Sequence, residues 1–219
     1  MKITTSTILK GIILILIAGL AVSCKKDELT AETTVETGSI DKVESTKALA
    51  YGRILSIGQE VLQYGHCWST VSPPTIEGDR TDFGSTSQTG LFSSQLTELL
   101  PGEHYYYRAY IVTSSGVFYG ALKSFNTPDG KAAVSTGLVT EITTGSAKCS
   151  GSVTSAGGDV LMGRGICWDT VPQFSLQNCI GSSNSGAELG DFTGLMIDLT
   201  PGASYYVKAY ASTRVDTTY

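Results

Sequence analysis

Cysteine and histidine have the widest chemical repertoire among the side chains, and this sequence holds five of the first and two of the second. Cys149 and Cys167 lie on either side of the turn Ser155–Asp159 ("SAGGD"). Neighbouring strands joined by that turn would let them face each other, a possible disulfide if the geometry converges. Cys179 sits in a polar loop, as a free thiol or as a rival partner. Cys67 has no local partner and reads as a buried thiol, the usual state of an unpaired cysteine. No Cys-x-x-Cys pair occurs, and zinc would need ligands that the chain lacks. A Ser-His-Asp device needs an imidazole held by a carboxylate. His66 and His104 have no such context, since Ile166 and Ser204 take their places in a repeat described below. Glu77, Asp79 and Asp82 gather acid in one loop, but the repeat lacks them too, so they read as a solvated loop rather than a calcium site. The expectation is a protein without metal, cofactor or catalytic residues.

The first residues, "MKITTSTILKGIILILIAGLAVSC", place Lys2 and Lys10 before an apolar run from Gly11 to Val22. That run is short of the roughly 20 apolar residues a spanning helix needs. It has the basic flank, apolar core and small residues of a secretory signal peptide over 1–23. Cys24, directly after Ala21-Val22-Ser23, resembles the acylated cysteine of a bacterial lipobox, which implies a membrane anchor through acyl chains on Cys24. Residues 24–33 then form a polar tether. Lys25-Lys26-Asp27-Glu28 resembles the charged tag of surface-exported lipoproteins of the Bacteroidota, which implies an outer-membrane lipoprotein facing outward, with a periplasmic orientation as the alternative.

The elements that must position these residues come twice. Cys67-Trp68, Phe92, Leu99, Pro101-Gly102 and Tyr119 return as Cys167-Trp168, Phe192, Leu199, Pro201-Gly202 and Tyr219, at an offset of 100. Earlier pairs, Val35 with Val134, Ala48 with Ala147 and Gly52 with Gly151, keep an offset of 99, so one residue enters in the turn before the Cys-Trp strand. Two homologous domains are expected, 34–128 and 132–219, joined by the turn-rich "TPDGK". With 25 Gly, 11 Tyr and 16% charged residues, and short alternating runs punctuated by Gly and Pro, each is an all-β sandwich. The net charge of −5 argues against nucleic acid, which needs a clustered basic surface.

The motif Leu-x-Pro-Gly-x-x-Tyr (Leu99, Pro101, Tyr105; Leu199, Pro201, Tyr205) resembles the tyrosine corner of fibronectin type III domains. Strand alternation then turns Tyr105, Tyr107 and Ala109 inward. It turns Tyr106, Arg108 and Tyr110, with Tyr206, Lys208 and Tyr210, outward as a candidate contact surface for protein or glycan, or as ordinary cross-strand pairs. "YGHCWSTVSPPTI", "GRGICWDT" and "YYVKAYAST" are similar to fibronectin type III-like repeats of Bacteroidota surface lipoproteins. The resemblance implies spacer or adhesion modules. Its alternatives are a carbohydrate-binding lipoprotein of a glycan-uptake system, or accessory domains of a hydrolase whose catalytic part lies beyond Tyr219. Asp169-Thr170-Val171 and Asp216-Thr217-Thr218 resemble short O-glycosylation acceptors of the same bacteria, which implies Thr170 and Thr217 as modified residues. The second unit stops where the first continues into "ALKSFNT", so its last strand is expected to be missing and the sequence to be a fragment.

Overall fold

The computed structural model describes residues 31–219, so the signal peptide and Cys24 lie outside the described residues. Its first eight strands are β1 (Thr34–Asp41), β2 (Ala48–Ser56), β3 (Val61–Ser69), β4 (Asp79–Arg80), β5 (Gly90–Leu96), β6 (His104–Thr113), β7 (Gly116–Tyr119) and β8 (Lys123–Asn126). Seven follow: β9 (Ala133–Thr140), β10 (Ala147–Ser155), β11 (Leu161–Asp169), β12 (Gly181–Asn184), β13 (Gly190–Met196), β14 (Tyr206–Thr213) and β15 (Thr217–Thr218). No helix occurs among the described residues, and so none is long and apolar enough to cross a membrane.

Each half pairs its strands into two antiparallel sheets. In the first, β1-β2-β5 faces β4-β3-β6-β7, with β8 also paired to β6. In the second, β9-β10-β13 faces β12-β11-β14-β15. The described residues are all-β, two sandwiches of fibronectin type III-like type.

Period-two alternation fills both cores. On β2 it sends Ala48, Ala50 and Ile54 inward, and on β6 it sends Tyr105, Tyr107, Ala109 and Ile111 inward. The first sandwich packs Trp68, Leu96, Leu99, Tyr105, Tyr107 and Phe125 in one cluster and Val35, Ile54, Val61 and Ile111 in another. The second has one cluster between its sheets, around Cys149, Ile166, Trp168, Phe192 and Met196. The repeated glycine at 52 and 151 is a packing requirement: a Cβ there would stand 2.4 Å from the ring of Phe92 or Phe192.

The inserted residue lies in the β10–β11 turn, and it has a role. The shorter β2–β3 turn of the first sandwich grips the incoming chain, Gly58 and Gln59 donating their N–H groups to Thr33 Oγ1 at 3.0 and 3.2 Å. The longer β10–β11 turn grips the linker instead, Gly130 donating its N–H to Gly157 O at 3.0 Å. Gly157 sits at φ 64 in the left-handed region, with Lys131 backbone 2.1 Å from where a Cβ would be.

The second sandwich has no counterpart of β8 among the described residues. In the first, β8 pairs His104–Tyr107 and lays Phe125 on the Tyr105 ring, stacked at 5.7 Å.

Candidate functional site

The residues expected to form a contact surface project from the outer face of β6 and β14, but a loop from elsewhere covers that face. In the first sandwich the β3–β4 loop folds back over β6. Arg108 lays its guanidinium 3.5 Å from the centre of the Tyr119 ring and donates Nε–H to Pro74 O at 2.8 Å. Tyr119 Oη accepts the N–H of Ile76 at 3.2 Å, and Tyr110 donates its hydroxyl to Thr81 O at 2.6 Å. The second sandwich repeats the pattern. Lys208 Nζ donates to Phe174 O at 2.9 Å and lies over the Phe174 ring, Leu176 donates its N–H to Tyr219 Oη at 2.7 Å, and Tyr210 donates to Ser183 O at 3.1 Å. The loop is thus a strap, and beneath it lies a small outer core that includes Cys167, Phe174 and Tyr210.

Most of the expected contact surface is therefore corrected. Tyr110 and Tyr210 are buried, and Arg108 and Lys208 are half-buried with their cations spent on loop carbonyls and aromatic rings. Strand alternation does turn these side chains off the core, but outward on a sheet is not outward to solvent when a distant loop returns across it. Tyr206 is exposed, and Tyr106 is half-buried beside His104, their rings 4.9 Å apart and nearly perpendicular. His104 is exposed and bonds Asn126 Oδ1 through Nδ1 at 2.6 Å. The strap residues Pro74, Ile76, Phe174 and Leu176 were not singled out from sequence. The offset of 100 shared by Cys67, Arg108 and Tyr119 was the available signal.

The corner tyrosines act locally. Tyr105 Oη accepts the N–H of Leu100 at 2.9 Å, and Tyr205 Oη accepts that of Thr200 at 2.8 Å. His66 is fully buried in the first core, against Phe92. Its Nε2 faces Tyr51 O at 3.0 Å, so that nitrogen carries the proton and Nδ1 accepts from Ser94 Oγ at 2.7 Å. Burial pulls its pKa down to about 4. Ser94 beside His66 has the elements of a nucleophile and base, but both are sealed inside and no carboxylate orients the ring.

The Cys149–Cys167 disulfide that the sequence left open does not form. All four described cysteines are free thiols. The β10–β11 connection crosses from one sheet to the other rather than closing a hairpin. Cys149 faces the core between the sheets, while Cys167 faces the outer core under the strap. Burial raises the pKa of Cys67 and Cys149, and pushes Cys167 up to about 12. Cys67 Sγ points at Pro74 O, 3.7 Å away.

The acids Glu77, Asp79 and Asp82 are spread along the exposed surface, Asp82 capping the N–H of Gly84 at 2.7 Å. No group of His, Cys, Asp and Glu is gathered as a metal site among the described residues. Thr170 is exposed after Asp169, whose buried carboxylate accepts the N–H groups of Val171 and Ile180, both at 3.2 Å. Thr217 is half-buried, its hydroxyl 2.9 Å from that of Ser212.

No family model and no curated protein matches the chain. Among solved structures it is similar to the sensor domain of the anti-sigma factor RsgI4 in Pseudobacteroides cellulosolvens, with a TM-score of 0.34 and 14% identity over 44% of this chain and 95% of that one. It is also similar to a two fibronectin type-III domain segment from chicken tenascin, with a TM-score of 0.32 and 15% identity over 86% of this chain and 95% of that one. Both likenesses are remote and lend this chain neither ligand nor activity. The fold rests on its own strand topology.

Proposed function

We propose that this chain is a non-catalytic, lipid-anchored protein of a bacterial outer-membrane surface, its two sandwiches serving as spacer and adhesion modules. The observation that carries the reading is the junction between the sandwiches. Ser45 donates its N–H to Gly158 O at 3.1 Å, and Thr213 and Thr218 donate their hydroxyls to Gly130 O and Ala132 O, each at 2.7 Å. Pro128 packs where a Cβ on Gly158 would stand, 2.4 Å away. A linker held by both of its neighbours transmits position, which is what a spacer needs. The side chains best suited to chemistry or sugar stacking, His66, Arg108, Tyr110, Lys208 and Tyr210, are consumed in holding the fold. Acylation of Cys24 would supply the anchor, each buried methylene contributing about 0.8 kcal/mol.

Protease shaving of intact cells expressing the gene, beside mass spectrometry of the N-terminal peptide, tests this. Loss of the protein from whole cells together with an acylated Cys24 is the expected result. Resistance to shaving until the outer membrane is opened would overturn surface display, and an unacylated Cys24 would overturn the anchor.

A further inference from the structure

The strap of the second sandwich is two residues longer than that of the first, and the register shows where. Tyr119 and Tyr219 hold the amides of Ile76 and Leu176, while Trp68 and Trp168 pair with Asp79 and Gly181. Glu77 and Gly78 therefore span in the first sandwich what residues 177–180 span in the second. The longer path closes as a turn on Ser175, whose carbonyl accepts the N–H groups of Asn178 and Cys179 at 3.2 and 3.0 Å. This turn packs Cys179 against the outer core of Cys167, Phe174 and Tyr210. There the Cys179 thiol lies 3.5 Å from Leu176 O and the Cys167 thiol 3.6 Å from Lys208 O, the two residues packed in the one cluster. Cys179 is half-buried, whereas Cys167 is sealed.

We propose that Cys167 and Cys179 are a redox-active thiol pair that closes to a disulfide and staples the strap to its sheet in the second sandwich alone. The oxidant is a small or protein disulfide, such as oxidised glutathione or a thiol oxidoreductase. The accessible Cys179 thiolate attacks one oxidant sulfur and expels the other as a thiolate, leaving a mixed disulfide. The Cys167 thiolate then attacks the Cys179 sulfur, forming the Sγ–Sγ bond and expelling the second oxidant thiolate. The two protein thiols lose two protons and two electrons, and the oxidant leaves as two thiols. Burial and the neighbouring Cys179 hold the Cys167 pKa up at about 12, against the pull of Lys208, so closure is the slower step. Among the described residues Cys67 has no second thiol above it, and Cys149 lies on the core side of the other sheet.

The full chain, equilibrated natively with oxidised glutathione and then unfolded in alkylating reagent, decides the matter by peptide mass. Both cysteines fall in one tryptic peptide, Gly165–Lys208, which contains no other. The expected peptide takes up no alkyl group, is lighter by two hydrogens than its dithiol form, and gains two alkyl groups only after reduction. Cys67 and Cys149 are alkylated throughout. The oxidised chain also melts several degrees above the reduced one, a difference that Cys179→Ser abolishes. A doubly alkylated peptide, a glutathione adduct on Cys179 that never closes, or a bond from Cys167 to Cys149 would overturn the pairing. An unchanged melting temperature would overturn the staple.

Discussion

Among the described residues the two sandwiches share a corner, a core and a strap, and only the first shows a strand paired to the start of its corner strand. In the first, β8 pairs with the start of β6, and Phe125 lies stacked on Tyr105 and edge-on to Tyr107, 5.7 and 5.8 Å away. Leu99, Tyr105 and Tyr107 are all sealed there, whereas Leu199, Tyr205 and Val207 stay half-buried in the second. The corner hydrogen bond is nonetheless kept in both, at 2.9 and 2.8 Å. The comparison separates two sources of order. The Pro-Gly-Tyr corner is local and completes itself, while burial of the apolar residues around it depends on a strand that arrives later.

The hardest way to break this contrast is Phe125→Ala, which would strip the cover from Tyr105 and Tyr107 in the first sandwich. Its loss is expected at about 3–5 kcal/mol, the range for truncating a buried aromatic. Denaturant unfolding followed through Trp68, in a Trp168→Phe background, measures it, and a loss below about 1 kcal/mol would deny β8 its role.

Acid should divide the halves next. His66 has a pKa near 4 when folded and 6.5 when free, so the unfolded chain binds the proton first as pH falls. Its contribution is whole above pH 6.5 and is lost between there and pH 4. The shift corresponds to about 3 kcal/mol in the first sandwich and has no counterpart in the second, where Ile166 fills the slot. Unfolding midpoints across that range, for the chain and for His66→Ile, should show the slope vanish in the variant. A slope that persists would place the proton elsewhere.

The smallest effect sharpens the comparison at the corner itself. Tyr105→Phe and Tyr205→Phe each remove one hydrogen bond, about 1 kcal/mol. The first should cost more, because Tyr105 is sealed and Tyr205 is not. Equal midpoint shifts would mean that β8 does nothing for the corner.

What was legible in the sequence follows the reach of each interaction. The offset of 100 and the inward Tyr105 and Tyr107 could be read because strand alternation and repetition act over a few residues or between near-copies. Burial of Tyr110 and Tyr210 could not, because a loop over 30 positions earlier supplies the cover: Pro74 over Arg108 and Phe174 over Lys208. The Cys149–Cys167 pairing failed for a related reason. "SAGGD" reads as a hairpin turn, and only tertiary structure shows the chain changing sheets there and turning its extra glycine to the linker.

The central claim is that Arg108, Tyr110, Lys208 and Tyr210, with Tyr119 and Tyr219, hold a strap and are not a free contact face. Amide hydrogen exchange at Ile76 and Leu176 tests it most directly, since both donate only to the Tyr119 and Tyr219 hydroxyls. The account predicts slow exchange at both amides, with Tyr119→Phe releasing Ile76 and leaving Leu176 protected. Exchange at the solvent rate in the unaltered chain would mean that the strap stands open, and the outer face would again be a surface for partners.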